Sequence, residues 1–223
     1  VTPKTAVLAF GAGLGLAYAM ARAADSQAQT TDTGATSLDY ANPWGLIDMQ
    51  LQQHTTAQAV QDGNVRAFLA AIAWAEGTDR EPDPYRVCYG YKHIVRSLAD
   101  HPANSGEWKG EPLPAHMCAG AGLGPGCVST AAGRFQIIRK TWNGARRALA
   151  LPDFSPDSQI RAAVWLIDQR GALDAVKRGD VAEALQLCRK EWASLPGANY
   201  AGQGMRSEGD LVAVFERAGG FTA

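Results

Sequence analysis

The 223-residue sequence has little excess charge. Its 21 Lys and Arg side chains nearly cancel 22 Asp and Glu, leaving a formal net charge of −1. Without a basic face, nucleic-acid binding loses its electrostatic footprint. An anionic polymer could still be a substrate, but bulk charge would not attract it. Cysteine is scarce, and Cys88, Cys118, Cys127 and Cys188 make no CxxC pair, which argues against zinc and dithiol redox motifs. His54, His93, His101 and His116 form no HExxH and no GxSxG occurs, so zinc-hydrolase and serine-hydrolase signatures are missing. Surface or loop roles are expected for these histidines. The Gly-rich tract "AGAGLGPG" lacks GK[ST] and follows no clear strand, which excludes a phosphate loop. No internal repeat occurs. What remains is ordinary globular composition, 46% apolar and 19% charged, in a chain long enough for one well-buried domain with extensions.

The extension lies at the N-terminal side. Lys4 precedes "TAVLAFGAGLGLAYAMA", which is free of charge until Arg22. The run has the length of a short membrane span but is rich in Gly and Ala. Residues 1–24 therefore read as a cleaved signal peptide, a retained membrane anchor, or a weak anchor able to leave the bilayer. All three imply an address at or beyond an inner membrane. Residues 25–61 read as a polar linker followed by a short helix that packs on the main domain or meets a partner.

From residue 62 the pattern is mainly helical. Asp62 offers an N-cap; Val65, Phe68, Leu69 and Ile72 follow helical spacing; Gly77 is a stop signal. Alternating Tyr85, Val87, Tyr89 and Tyr91 suggest a short strand or hairpin whose aromatics line a groove or simply pack. Residues 102–133 form a long loop. Cys118 and Cys127 flank its Gly-rich part, as a local disulfide outside the cytoplasm or as two free thiols. Phe135, Ile138, Trp142 and Leu149 then mark an amphipathic helix. Ser155-Pro156 and Asp180 open two more helical stretches, and "EGDLVAVFERAGG" ends the chain's helices. The fold class expected is α+β, with a small β region beside the first helix of the domain at 62–223.

Glu76 stands out in "AWAEGTD". Four residues beyond Ile72, it shares the buried face and ends its helix. Burial and the helix C-terminus both disfavour a carboxylate, so its pKa should rise, as a general acid requires. Spacing alone favours a Glu that caps, pairs with Arg or turns to water.

The order of motifs adds to this. "FLAAIAWAEGTD", "GYKHI", "DHP", "TAAGRFQI", "LPDFSPDSQ", "RGAL", "RGD", "EWASLPGANY" and "AGG" follow one another over roughly residues 64–220. In this the chain resembles the lambdoid phage lysozyme (endolysin) family, lytic transglycosylases of peptidoglycan with a lysozyme-like fold. The loop near 103–128 looks longer than the family's. The resemblance implies Glu76 as the catalytic acid and places Thr78, Arg134, Gln136 and Tyr200 at the glycan cleft. It implies no metal and no cofactor. The residues themselves also allow Arg134 to hold a helix end, Gln136 to satisfy loop carbonyls and Tyr200 to anchor a loop.

Most glycosidases use two carboxylates; here the motif supplies one, and Asp79, Asp83 and Asp100 have no helical position that sets them opposite Glu76. The chemistry implied is cleavage between N-acetylmuramic acid (MurNAc) and N-acetylglucosamine (GlcNAc), closed by the sugar's own C6 hydroxyl. Hydrolysis by water and non-catalytic binding of peptidoglycan are the alternatives. The partners implied are glycan strands, the inner membrane through residues 5–21 if these are kept, and possible virion proteins. The location implied is the periplasm or the periplasmic face of a Gram-negative inner membrane.

Overall fold

A computed structural model describes residues 43–120, 123–198 and 205–223. The apolar run at 5–21, the linker and Tyr200 lie outside these. Among the described residues no helix is long and apolar enough to cross a membrane.

The fold is organised around α2 (Gly63–Glu76), which α1 (Pro43–Ala59) precedes. Asp62 caps α2 as its sequence position predicts: Oδ1 accepts the N–H groups of Asn64 (2.8 Å) and Val65 (3.2 Å). Its buried residues run from Val65 through Phe68, Leu69 and Ile72 to Ala75 and Glu76, leaving little solvated face. A helix apolar on most sides belongs in the interior. Accordingly α6 (Pro156–Gln169), α7 (Leu173–Arg178) and α9 (Glu208–Arg217) pack around it. α2 stops at Gly77, whose φ of 78° is the left-handed cap anticipated from the sequence.

The short helix expected before residue 62 is α1, 17 residues long, and it packs on the domain against α6 and α5 (Arg139–Leu149). The indole Nε1 of Trp165 donates to Gln52 Oε1 at 3.1 Å across this contact. The 85–95 region does not become a strand. Residues Pro84–Arg86 make a 3-10 turn, and only an isolated antiparallel bridge, Val87 to Ile94, remains of the hairpin. Val87, Cys88 and Tyr89 are all buried, so the apparent alternation of side chains was not a two-faced strand.

The sheet lies instead in the long loop, after the short helix α3 (Pro102–Ser105). There β1 (Glu111–Pro112) pairs antiparallel with β2 (Val128–Ser129), and α4 (Ala115–Gly120) lies between them. Cys118 and Cys127 form the disulfide that closes this excursion; Cys88 and Cys188 are free and buried. α5 begins only at Arg139: Phe135 and Ile138 are buried, but in the turn before it. Ser155 and Asp180 cap α6 and α8 (Val181–Cys188) as their positions predict.

His101 keeps the loop position expected of these histidines, as the cap of α3, but not a surface one. It is fully buried and packs edge-on against Phe154, which also meets Trp142. Its Nε2 lies 3.0 Å from the Ile137 carbonyl, to which it donates, and Nδ1 accepts the Ala103 N–H. One nitrogen donates and the other accepts, so the ring is neutral. Burial lowers its pKa from 6.5 to about 4. A depressed histidine pKa means that the unfolded chain takes up the proton first as pH falls. The contribution of His101 is thus whole above pH 6.5 and is lost progressively toward pH 4, a change of about 3 kcal/mol. We expect urea denaturation at pH 7 and pH 4.5 to show a larger loss of stability for the wild type than for His101→Gln, which cannot titrate.

Candidate active site

The last turn of α2 delivers Glu76 to the interior, 1% exposed. Its Oε1 accepts a hydrogen bond from the Ser194 hydroxyl at 2.9 Å, while Oε2 is buried with no partner. Burial pushes its pKa well above the usual carboxylate value; the Ser194 hydrogen bond and the positive charge of Arg206 oppose that shift without cancelling it. The carboxyl group therefore keeps its proton more readily than a solvated Glu does, and one of its oxygens, although buried, is uncommitted.

The helix end around it is closed by side chains from distant loops. The Tyr91 hydroxyl donates to the Glu76 main-chain carbonyl, satisfying one of the carbonyls that a helix C-terminus leaves without an internal partner. Tyr91 has φ of 60°, a left-handed conformation unusual for a tyrosine. Thr78 is fully buried, with its hydroxyl 2.6 Å from the Arg134 carbonyl and 3.2 Å from that of Ala73. Its visible contribution is to tie the end of α2 to the Gly133–Gln136 turn.

Arg134 sits in that turn. Its Nη1 donates to the Tyr85 hydroxyl at 2.8 Å, and the guanidinium lies 5.4 Å from the Tyr85 ring centroid and 5.7 Å from that of Phe135. Its main-chain N–H donates to Gln159 Oε1 at 3.0 Å. Gln136 is 5% exposed at φ 47°, and its amide nitrogen donates to the carbonyls of Gly133 (2.9 Å) and Val87 (3.2 Å). The structure thus brings Glu76, Thr78, Arg134 and Gln136 into one connected group, with Tyr200 outside the described residues. Among the possible second carboxylates, Asp83 pairs with Arg86 and Asp100 with Arg146 and Trp142, while Asp79 is exposed. Among the described residues no group of His, Cys, Asp and Glu could hold a metal ion.

Several supporting residues escape a reading of the sequence. Ser194 is one, although it lies within the quoted "EWASLPGANY". The same segment sends the Trp192 indole N–H to the Phe135 carbonyl at 3.1 Å. Arg206 is another: its guanidinium stacks 4.6 Å from the Trp74 ring centroid, and its N–H donates to the Ser194 carbonyl at 3.0 Å. Gln159 is the third, with Nε2 donating to the carbonyls of Tyr85 and Phe154. None of these belongs to a local spacing pattern.

The model of the endolysin family matches residues 66–222. The chain belongs to the endolysin family. The Escherichia phage lambda endolysin is 39% identical over 160 residues, covering 70% of this chain and 90% of that one. The Escherichia phage P2 endolysin is 42% identical over 160 residues, covering 72% and 95%. Among solved structures, a bacteriophage lambda lysozyme complexed with a chitohexasaccharide aligns at TM-score 0.60 and 35% identity, covering 73% of this chain and 97% of that one. A second structure of lysozyme from bacteriophage lambda aligns at TM-score 0.57 and 32% identity, with the same coverage. These likenesses bear out the lysozyme-like fold. The family match begins within α2, so α1 lies outside it.

Two expected outcomes follow from the geometry. A folded-state carboxyl pKa raised above the unfolded value favours folding below the unfolded pKa and costs stability as pH rises past it. Glu76→Gln removes that cost and can still accept from Ser194, so its thermal midpoint at pH 7 should exceed the wild type's by differential scanning calorimetry. Gly133 has φ of 76°, and a Cβ there would lie 2.1 Å from Gln159 Oε1. Gly133→Ala should therefore destabilise by roughly 1–3 kcal/mol in urea denaturation.

Proposed function

We propose that this endolysin degrades peptidoglycan as a lytic transglycosylase, with Glu76 as the single acid and base. The observation that carries the reading is the Glu76 carboxyl group: buried, proton-retaining, bound through Oε1 and unpartnered at Oε2. The names of its relatives, endolysin and lysozyme, support the substrate class. So does the ligand of the lambda lysozyme, since chitohexasaccharide is an N-acetylglucosamine oligomer.

The step balances without water, metal or cofactor. Glu76 Oε2–H gives its proton to the β-1,4 glycosidic oxygen between MurNAc and GlcNAc. The C1–O bond breaks, its electron pair goes to the departing oxygen, and C1 gains oxocarbenium character. The muramyl C6 hydroxyl oxygen then bonds to C1, and its proton passes to the Glu76 carboxylate. The products are a GlcNAc hydroxyl end and a 1,6-anhydro muramyl end, and the enzyme regains its starting protonation state. The hydrolytic alternative replaces the C6 hydroxyl with water. It normally uses a second carboxylate as base or nucleophile; Asp83 and Asp100 are committed to other partners, and Asp79 is exposed to solvent rather than buried beside Glu76.

We place this activity on the periplasmic side of a Gram-negative inner membrane, with residues 5–21 as export signal or anchor and peptidoglycan as the partner; association with a virion is the other setting. The Cys118–Cys127 disulfide supports an oxidising compartment.

Mass spectrometry of digested glycan strands tests the chemistry. The expected muropeptides are lighter by one water than the hydrolytic ones, and products of full hydrolytic mass would overturn the transglycosylase reading. Glu76→Gln should lower lysis of purified cell walls by about 10²–10⁴-fold. Wild-type lysis by that variant would remove Glu76 from the chemistry.

A further inference from the structure

We propose that Ser194 is a positioning residue that holds Glu76 by Oε1 alone, so that one atom, Oε2, both gives up the proton and takes it back. The inference rests on the reading of Glu76 as the acid.

The two carboxyl oxygens have different surroundings. Oε1 lies 2.9 Å from the hydroxyl of Ser194, a residue only 5% exposed, and Oε2 is buried without a partner. A serine hydroxyl has one proton to donate. With the acid proton on Oε2, the Ser194–Oε1 hydrogen bond persists when Glu76 is protonated and when it is ionised. With the proton on Oε1, the Ser194 hydroxyl would have to reverse, and its own proton would lose this acceptor. The first arrangement requires no reorganisation between the acid half of the reaction and the base half, which is the advantage of a preorganised polar site.

Ser194 is itself held from several directions. Its carbonyl accepts the Arg206 N–H at 3.0 Å, Leu195 N–H closes a turn on the Trp192 carbonyl at 3.1 Å, and the Trp192 indole is pinned to Phe135. Ala193 and Leu195 on either side are fully buried. The hydroxyl is therefore delivered from a fixed main chain, 118 residues from Glu76 in sequence.

The other charged and titratable groups near Glu76 act differently. Arg206 adds a positive charge from its seat on Trp74. Tyr91 binds the main-chain carbonyl rather than the carboxyl group, and Asp79 and Glu81 on the following turn act on Tyr91. Removing the Ser194 hydroxyl deletes a hydrogen bond to the ionised form while leaving Arg206 in place, so the proton should be held more tightly.

The test is the full chain carrying Ser194→Ala, assayed on purified glycan strands across pH, together with a carbon-13 NMR titration of the Glu76 carboxyl. The alkaline limb of the kcat profile should move to higher pH, the NMR titration should move the same way, and kcat should fall roughly 10–100-fold with KM little changed. A lower kcat with both titrations at wild-type positions would mean simple loosening and would overturn the proposal, as would a shifted titration with kcat intact. Because the NMR arm needs no activity, it separates failure here from failure of the catalytic reading, which Glu76→Gln decides.

Discussion

The structure depends on bringing the C-terminal end of a buried helix, with a carboxyl group on its last residue, into the interior. Both are costly. Helix ends leave carbonyls without partners, and a carboxyl group in a poorly solvated site resists ionisation. α2 pays the first cost through Tyr91, whose hydroxyl donates to the Glu76 carbonyl, and through the Gly77 N–H, while the Thr78 hydroxyl ties the helix end to the Arg134 carbonyl. The second cost is only partly offset, by Ser194 and Arg206. The remainder leaves the Glu76 carboxyl group readier to hold a proton than a solvated one.

Much of the surrounding architecture serves those few contacts. Tyr91 and Gln136 occupy left-handed backbone conformations in the two turns that face the end of α2. Such conformations persist when neighbouring contacts fix them: Tyr91 is held by its hydroxyl and its N–H, which donates to the Cys88 carbonyl, and the Gln136 turn by buried amides. Gln136 binds Val87 and Gly133, while Gln159 binds Tyr85, Phe154 and the Arg134 N–H. These two amides, with the Trp192 indole, stitch together segments far apart in sequence without a metal-like cluster or extended sheet among the described residues.

What could be read in advance follows from the range of each interaction. The cap at Asp62, the stop at Gly77 and the burial of Glu76 are local, since helical periodicity carries a side chain's facing direction over several turns. The true location of the sheet was hidden because two-residue strands have no periodicity to detect, whereas the Tyr85–Tyr91 alternation imitated one. The burial of His101 is hidden for a related reason: it depends on Phe154 and Ile137, residues more than thirty positions away. Ser194 lay inside a recognised stretch, but its partner is 118 residues distant, and no spacing rule reaches that far.

The packing of α1 changes the mechanics of the whole chain. Because α1 lies on α5 and α6 and is joined to Trp165 through Gln52, the folded body reaches back at least to residue 43, well ahead of the cap at Asp62. A form of the protein that kept the apolar run as an anchor would have at most the residues from 22 to 42 between that anchor and this body. Even fully drawn out, those residues span at most about 75 Å. Without α1 in the folded body, the tether would be nearly twice as long. In such a form this helix, which the family match does not include, would limit how far the body that carries Glu76 could stand from its point of attachment.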